Sequence, residues 1–162
     1  MGGAAFLGCE NLDGKLVLPD HLKVIEAYSF YETGFSGVLK LPSQLKVIGW
    51  AAFKNCSNFK GELYIPSHTI KIGMESFAGC RGLEGTLIIP ESVEVIEANA
   101  FRDCRFTKIV FMNKDTKILR PIIGSGFGSD TIIVGKKNST AYVYAQQFNC
   151  PFEPYDRKYD FK

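Results

Sequence analysis

Five cysteines, two histidines and a glycine-rich segment are the parts of this chain most able to do chemistry. An odd number of cysteines leaves at least one thiol unpaired in an oxidising compartment. Cys56, Cys80 and Cys104 recur at one spacing, in apolar surroundings. A zinc site wants ligands converging from close spacings such as C-x2-C, and none occurs here. A thiolate nucleophile needs a base or cation beside it and some exposure, which these flanks do not offer. The three thiols are expected to form a buried ladder of small apolar side chains. A disulfide between ladder neighbours has poor geometry, because their side chains point the same way. Cys150 lies outside the ladder and is expected to be the most exposed. His21 and His68 each follow a proline by two residues. They fall two repeats apart, roughly 10 Å, too far to share a metal or a proton, and are expected on surface turns. "GSGFGS" (124–129) does not open a helix after a strand, so it does not read as a dinucleotide loop. No Ser-His-Asp set, paired-carboxylate motif or phosphate loop is present. The residues argue against an enzyme, and no cofactor or metal is expected.

What positions these side chains is a repeat. Phe6, Phe30, Phe53, Phe77 and Phe101 are separated by 23 or 24 residues, and Pro19, Pro42, Pro66 and Pro90 keep the same steps. So do Ile25, Ile48, Ile72 and Ile96; Thr33 stands where a further Cys would fall. Self-similarity at this period marks a solenoid. Within each unit, residues 14–19, 37–42, 61–66 and 85–90 alternate in strand fashion. This predicts buried pairs Leu16/Leu18, Leu39/Leu41, Leu63/Ile65 and Leu87/Ile89, with the proline ending each strand. The return side of each coil is expected to be irregular or rich in 3-10 turns. Coils stacked at the strand spacing of about 4.8 Å place Phe on Phe and Ile on Ile. No coil buries its apolar face alone, so stability comes from nearest neighbours.

Composition narrows the class. The chain has 162 residues, 46% hydrophobic and 22% charged, which suits one soluble domain. A net charge of +2 gives no argument for nucleic acid or lipid. No apolar run approaches the roughly 18 residues of a membrane span, so no membrane insertion is expected. "MGGAAFLGCENL" lacks the pattern of a signal peptide and instead matches the end of a repeat. The expectation is a chain that starts inside a coil and is a fragment of a longer protein.

The elements "AFLGCENLDGKLVLP", "AFKNCSNFKGELYIP" and "SFAGCRGLEGTLIIPESVEVIEANAFRDC" resemble the leucine-rich repeats of the BspA-like bacterial surface proteins. The resemblance covers residues 4–111 and recurs in register, with an added "G-x" step before most strands. It implies a β-rich (α/β) right-handed solenoid of four to five coils. It also implies an extracellular or cell-surface bacterial setting, and adhesion or ligand binding without catalysis. The stretch 131–155 is similar to the strand, Ser/Thr turn and short helix that end many such proteins.

The chain then divides into coils (1–112), a C-terminal strand-helix cap (113–155) and a tail (156–162). Residues 106–113 read as a strand with Phe106, Ile109 and Phe111 inward, and 114–130 as loop. Ser139-Thr140 is placed to accept from the first free amides of a helix over "AYVYAQQF". Ala141, Val143, Tyr144 and Phe148 are expected to form its apolar face. Such a cap covers an edge that would otherwise invite strand addition.

Residues between the buried strand positions point outward in two ladders. One runs Lys15, Val38, Glu62, Thr86, Lys108; the other runs Val17, Lys40, Tyr64, Ile88, Val110. Tyr64, Ile88 and Val110 make the second unusually apolar for solvent, and exposed apolar patches mark binding surfaces. The predicted ligand face is therefore Val17, Val38, Lys40, Glu62, Tyr64, Thr86, Ile88, Lys108 and Val110. Its partner would be a protein or glycan. The alternative is a spacer repeat within a longer surface protein, with no ligand of its own.

Overall fold

The computed structural model describes residues 3–121, 126–128 and 130–155. The chain winds as a parallel-strand solenoid in which each coil contributes three stacked edges. The first edge carries the leucine alternation. It is fully regular only toward the C-terminus, in β4 (Glu84–Ile89), β6 (Arg105–Phe111), β8 (Ile132–Gly135) and β9 (Phe152–Pro154). These pair in parallel in the order β4-β6-β8-β9. In the earlier coils the predicted strands reduce to single bridges, Gly37 to Phe59, Gly61 to Leu83 and Tyr64 to Ile88. The inward residues are nevertheless placed as expected, with Leu39, Leu63, Ile65, Leu87 and Ile89 buried. Leu16 and Leu18 in the first coil, and Leu41 in the second, are predicted to be buried and are only partly so.

The second edge adds to the sequence reading. The return side is rich in i→i−3 turns, as in Tyr31 N–H to Tyr28 O and Lys54 N–H to Ala51 O, but it also holds a regular sheet. Two-residue strands β1 (Val24–Ile25), β2 (Val47–Ile48), β3 (Lys71–Ile72), β5 (Val95–Ile96) and β7 (Lys117–Ile118) pair into a five-stranded parallel sheet. Ile25, Ile48, Ile72 and Ile96 are fully buried there. Two residues are too few to show a period of two, so only stacking reveals them as strands. β7 also falls inside the segment read as loop.

The third edge is the turn around each phenylalanine. Here alternate amides donate to the next coil: Phe6 N–H to Ser29 O (3.0 Å), Phe30 to Ala52 O (2.8 Å), Phe53 to Ser76 O (2.7 Å) and Phe77 to Ala100 O (2.8 Å). The residue two before each Phe is left-handed: Ala4, Tyr28, Ala51, Glu75 and Asn99 have φ between 49° and 59°. In the first four coils its amide likewise reaches the next coil, as in Tyr28 N–H to Trp50 O (2.9 Å). The added "G-x" step has its own reason. Gly14, Gly37, Gly61 and Gly85 take φ of 81–83°, a conformation open to glycine and costly to most side chains.

Inside, the phenylalanines stack face to face. Centroids lie 5.5 Å apart for Phe6–Phe30, 5.1 Å for Phe30–Phe53, 5.3 Å for Phe53–Phe77 and 5.5 Å for Phe77–Phe101. The column ends by tilting, through Phe127 onto Tyr144. Tyr144 belongs to α1 (Thr140–Gln147), which Ser139 caps by accepting from Tyr142 N–H at 3.2 Å. The Thr140 amide donates to Lys114 O at 3.0 Å and its hydroxyl to Thr116 O, which ties the helix to the coil below. Ala141, Tyr144 and Ala145 are buried, whereas Val143, expected inward, is exposed. The tail 156–162, and Gly124, Ser125 and Ser129 of the glycine-rich segment, lie outside the described residues.

Candidate functional site

The thiols come first, because their geometry decides what they can do. Cys56 and Cys80 are buried and Cys104 nearly so, each on the coil after the last. Each Sγ donates back across one coil to a phenylalanine carbonyl: Cys56 to Phe30 O (2.8 Å), Cys80 to Phe53 O (3.0 Å), Cys104 to Phe77 O (3.2 Å). Thr33 holds the same position with a hydroxyl, donating to Phe30 O at 3.1 Å. The ladder therefore serves as more than small apolar filler: it occupies a second lone pair on carbonyls that already accept the Thr33, Cys56 and Cys80 amides. Burial pushes all three thiols up, and at Cys80 the neighbouring thiols add to it. A raised thiol is a poor source of thiolate. No disulfide joins any of the five cysteines. Cys150, expected to be the most exposed, is buried, because α1 and the strand after it fold over that position.

The histidines are exposed on turns, as predicted. Among the described residues no three His, Cys, Asp or Glu side chains converge in the way a metal ion requires. No helix among them is long and apolar enough to cross a membrane.

The outward strand face keeps its predicted register but not its full extent. Tyr64 pairs with Ile88, Ile88 with Val110 and Val110 with Val134, so the ladder is one continuous row. Its first half is open: Val17 is 86% exposed and Tyr64 68%, and Val38 of the other outward ladder is 54% exposed. Lys40 and Glu62 are exposed beside them, and the Tyr64 hydroxyl donates to the Glu62 carboxylate. That bond is the main cause holding the Tyr64 hydroxyl above its usual range. Thr86 and Ile88 are partly covered. Beyond them the face closes. Val110, predicted to be exposed, is fully buried, in a small outer cluster with Val134, Ile88, Met112, Ile132 and Tyr155. Lys108 is partly buried and ion-paired with Glu153 of β9 at 2.7 Å. The C-terminal strands thus bring their own side chains onto the outer surface, which the alternation of a single coil does not reveal.

A second exposed cluster escaped the sequence reading. Trp50 (48% exposed) packs against Tyr28 at 4.9 Å, and Tyr28 against Tyr31 at 5.8 Å. All three lie on the phenylalanine turns. At those positions the other coils carry Gly3, Ala27, Met74 and Ala98; Ala4, Ala51, Glu75 and Asn99; and Leu7, Lys54, Ala78 and Arg102. The signal that could have found them is departure from the repeat: three aromatics together at positions where the other coils have none. An apolar cleft of about 520 Å³ is lined by Phe6, Leu16, Leu18, Leu22, Phe30 and Phe35.

The parallel register, the Phe column and the thiol ladder all express one sequence unit. Residues 1–122 match the BspA type leucine rich repeat region in six copies. The chain belongs to this BspA-type leucine-rich repeat family. Six copies replace the four to five coils read from the sequence. The matched region runs beyond residue 112 because the last units keep the coil while losing the Pro and Cys marks. A crystal structure of a leucine-rich repeat protein from Bacteroides ovatus is similar to this BspA-type chain at 18% identity, with a TM-score of 0.43. The similarity covers 95% of this chain and 57% of that one, so this chain spans little more than half its length. A search of the curated proteins finds no match. BspA-type repeats build a module whose fold is generally a non-catalytic scaffold.

Proposed function

We propose that this BspA-type repeat is a non-catalytic recognition module, displayed outside a bacterial cell, that binds a protein or glycan through the open half of its strand face. The observation that carries the reading is the group of exposed Val17, Val38 and Tyr64, spread over the two outward ladders beside Lys40 and Glu62. Three large apolar side chains held on consecutive coils of a rigid scaffold lose little freedom on binding, which favours their use as anchors. Solenoids use such extended faces for recognition. The site is Val17, Val38, Lys40, Glu62 and Tyr64, with Thr86 and Ile88 at its border; Lys108 and Val110 drop out.

The test is an array of host extracellular-matrix proteins and glycans probed with the wild-type chain, followed by Tyr64→Ser with Ile88→Ser. A ligand that loses about ten-fold or more in affinity, roughly 1.4 kcal/mol, supports the strand face. A confirmed ligand bound equally well by the double variant removes it. A chain that binds nothing, yet is needed to hold neighbouring domains apart, would favour the spacer reading.

A further inference from the structure

The aromatic cluster on the turns has no structural duty that the repeat requires. Ala occupies each of the three positions in at least one other coil, as Ala27, Ala51 and Ala78, and those coils stack with the same hydrogen bonds. Tyr28 also stands at a left-handed residue, φ 57°, where a large side chain is uncommon. The rings touch one another at 4.9 and 5.8 Å, so they form a continuous platform and not a cage with room for a cation between them.

Polar groups border the platform. Glu32 accepts from the Asn55 amide at 2.9 Å, and Lys54 pairs with Glu75 at 2.7 Å. Lys54 Nζ also lies 6.0 Å from the centre of the Tyr31 ring. A hydrogen bond to Glu32 is the first cause raising the Tyr31 hydroxyl. Carboxylate, amide, ammonium and phenol groups thus border a continuous surface of rings tilted 55° and 60° to one another, within one short stretch of three coils.

The geometry points to a glycan-binding platform at Trp50, Tyr28 and Tyr31, taking a pyranose face against the rings and its hydroxyls against Glu32, Asn55 and Lys54. This rests on the recognition reading above but places the sugar on the turn edge, away from the strand face. Size favours this occupant. Three partly exposed rings present far less than the roughly 800 Å² that each partner of a stable protein interface buries. A single sugar ring is matched to that area, and its rim of hydroxyls is matched to mixed donors and acceptors.

Trp50 is the sole tryptophan, so its emission reports on the platform without a label. The wild-type chain is titrated with cello-, chito- and manno-oligosaccharides and with sialyllactose, up to about 10 mM, the range of weak single-site affinities. The expected result is a saturable spectral shift with at least one of them. Calorimetry with that sugar should show Trp50→Ala and Tyr28→Ala each weakened about ten-fold or more. Tyr64→Ser with Ile88→Ser should bind it as the wild type does. Because alanine already occupies these positions in other coils, the platform variants are expected to fold, and their unfolding midpoints check this. No saturable response to any of the four sugars overturns the proposal, as does a response that survives both platform variants. Sugar binding lost only in the strand-face variant overturns the platform while sustaining the strand face.

Discussion

The two-sided stacking of Phe53 gives the sharpest test of how this solenoid is held together. Phe53 is fully buried between Phe30 at 5.1 Å and Phe77 at 5.3 Å, with both ring pairs within 8° of parallel. Phe6 is only partly buried and stacks on one neighbour, Phe30, at 5.5 Å. Replacing each by leucine keeps an apolar side chain and removes the ring. An aromatic pair is worth about 0.5–1.5 kcal/mol beyond area burial, so Phe53→Leu loses about 1–3 kcal/mol from two pairs. Phe6→Leu loses one pair, about 0.5–1.5 kcal/mol, in a less enclosed place. Urea unfolding followed by Trp50 emission measures both, and an unchanged m-value would show that the comparison is one of stability alone. The expected order is Phe53→Leu costing about 0.5–1.5 kcal/mol, one ring pair, more than Phe6→Leu. Equal costs would refute the nearest-neighbour account, because stability would then not depend on how many coils flank a ring.

Two further predictions concern the thiols and one ion pair. Cys80→Ala removes a buried sulfur and its bond to Phe53 O, and should cost about 2 kcal/mol from transfer, cavity and hydrogen-bond losses together. In the native state, an aromatic disulfide reagent should modify Cys9 first and reach Cys80 only on unfolding; rapid labelling of Cys80 would contradict its burial. Burial pushes the Glu97 carboxyl up, but bonds from the Lys71 ammonium (2.6 Å) and the Met74 N–H (2.9 Å) outweigh it and leave it lowered. A carboxyl lowered on folding stabilises above its unfolded value, around 4.5, and that contribution fades as pH falls through the folded value. Thermal melts should show wild type above Glu97→Gln at pH 6 and the gap closing as pH falls below the unfolded carboxyl value; a gap that persists in acid would rule out this charge as its source.

The sequence made the coil legible because every core position repeats. Phe, Ile, Leu and Cys could be assigned to ladders from spacing alone, and the outward row Tyr64–Ile88–Val110 emerged in the right register. What stayed hidden depends on neighbours that spacing does not name. The β1–β7 sheet is built of residue pairs too short to carry a period. The thiol bonds run to backbone carbonyls on another coil, and carbonyls have no sequence signature. Val110 and Cys150 lost their exposure to β8, β9 and α1, which pack by tertiary contact outside the repeat. Trp50, Tyr28 and Tyr31 were visible all along, as exceptions to a pattern that drew attention to its regular members.

The left-handed residue before each phenylalanine has one more consequence. Across five coils that position holds Ala, Tyr, Ala, Glu and Asn, all with nearly the same backbone angle, and in four of them the amide is seen bonded to the next coil. The conformational cost of about 1–2 kcal/mol per such residue is therefore carried by the stack, whichever side chain is mounted there. Glycine, the usual answer to this angle, is not needed. The turn edge behaves as a mounting rail whose fittings can be exchanged one coil at a time without altering the frame. New specificities can accumulate on it by single substitutions, each nearly neutral for folding.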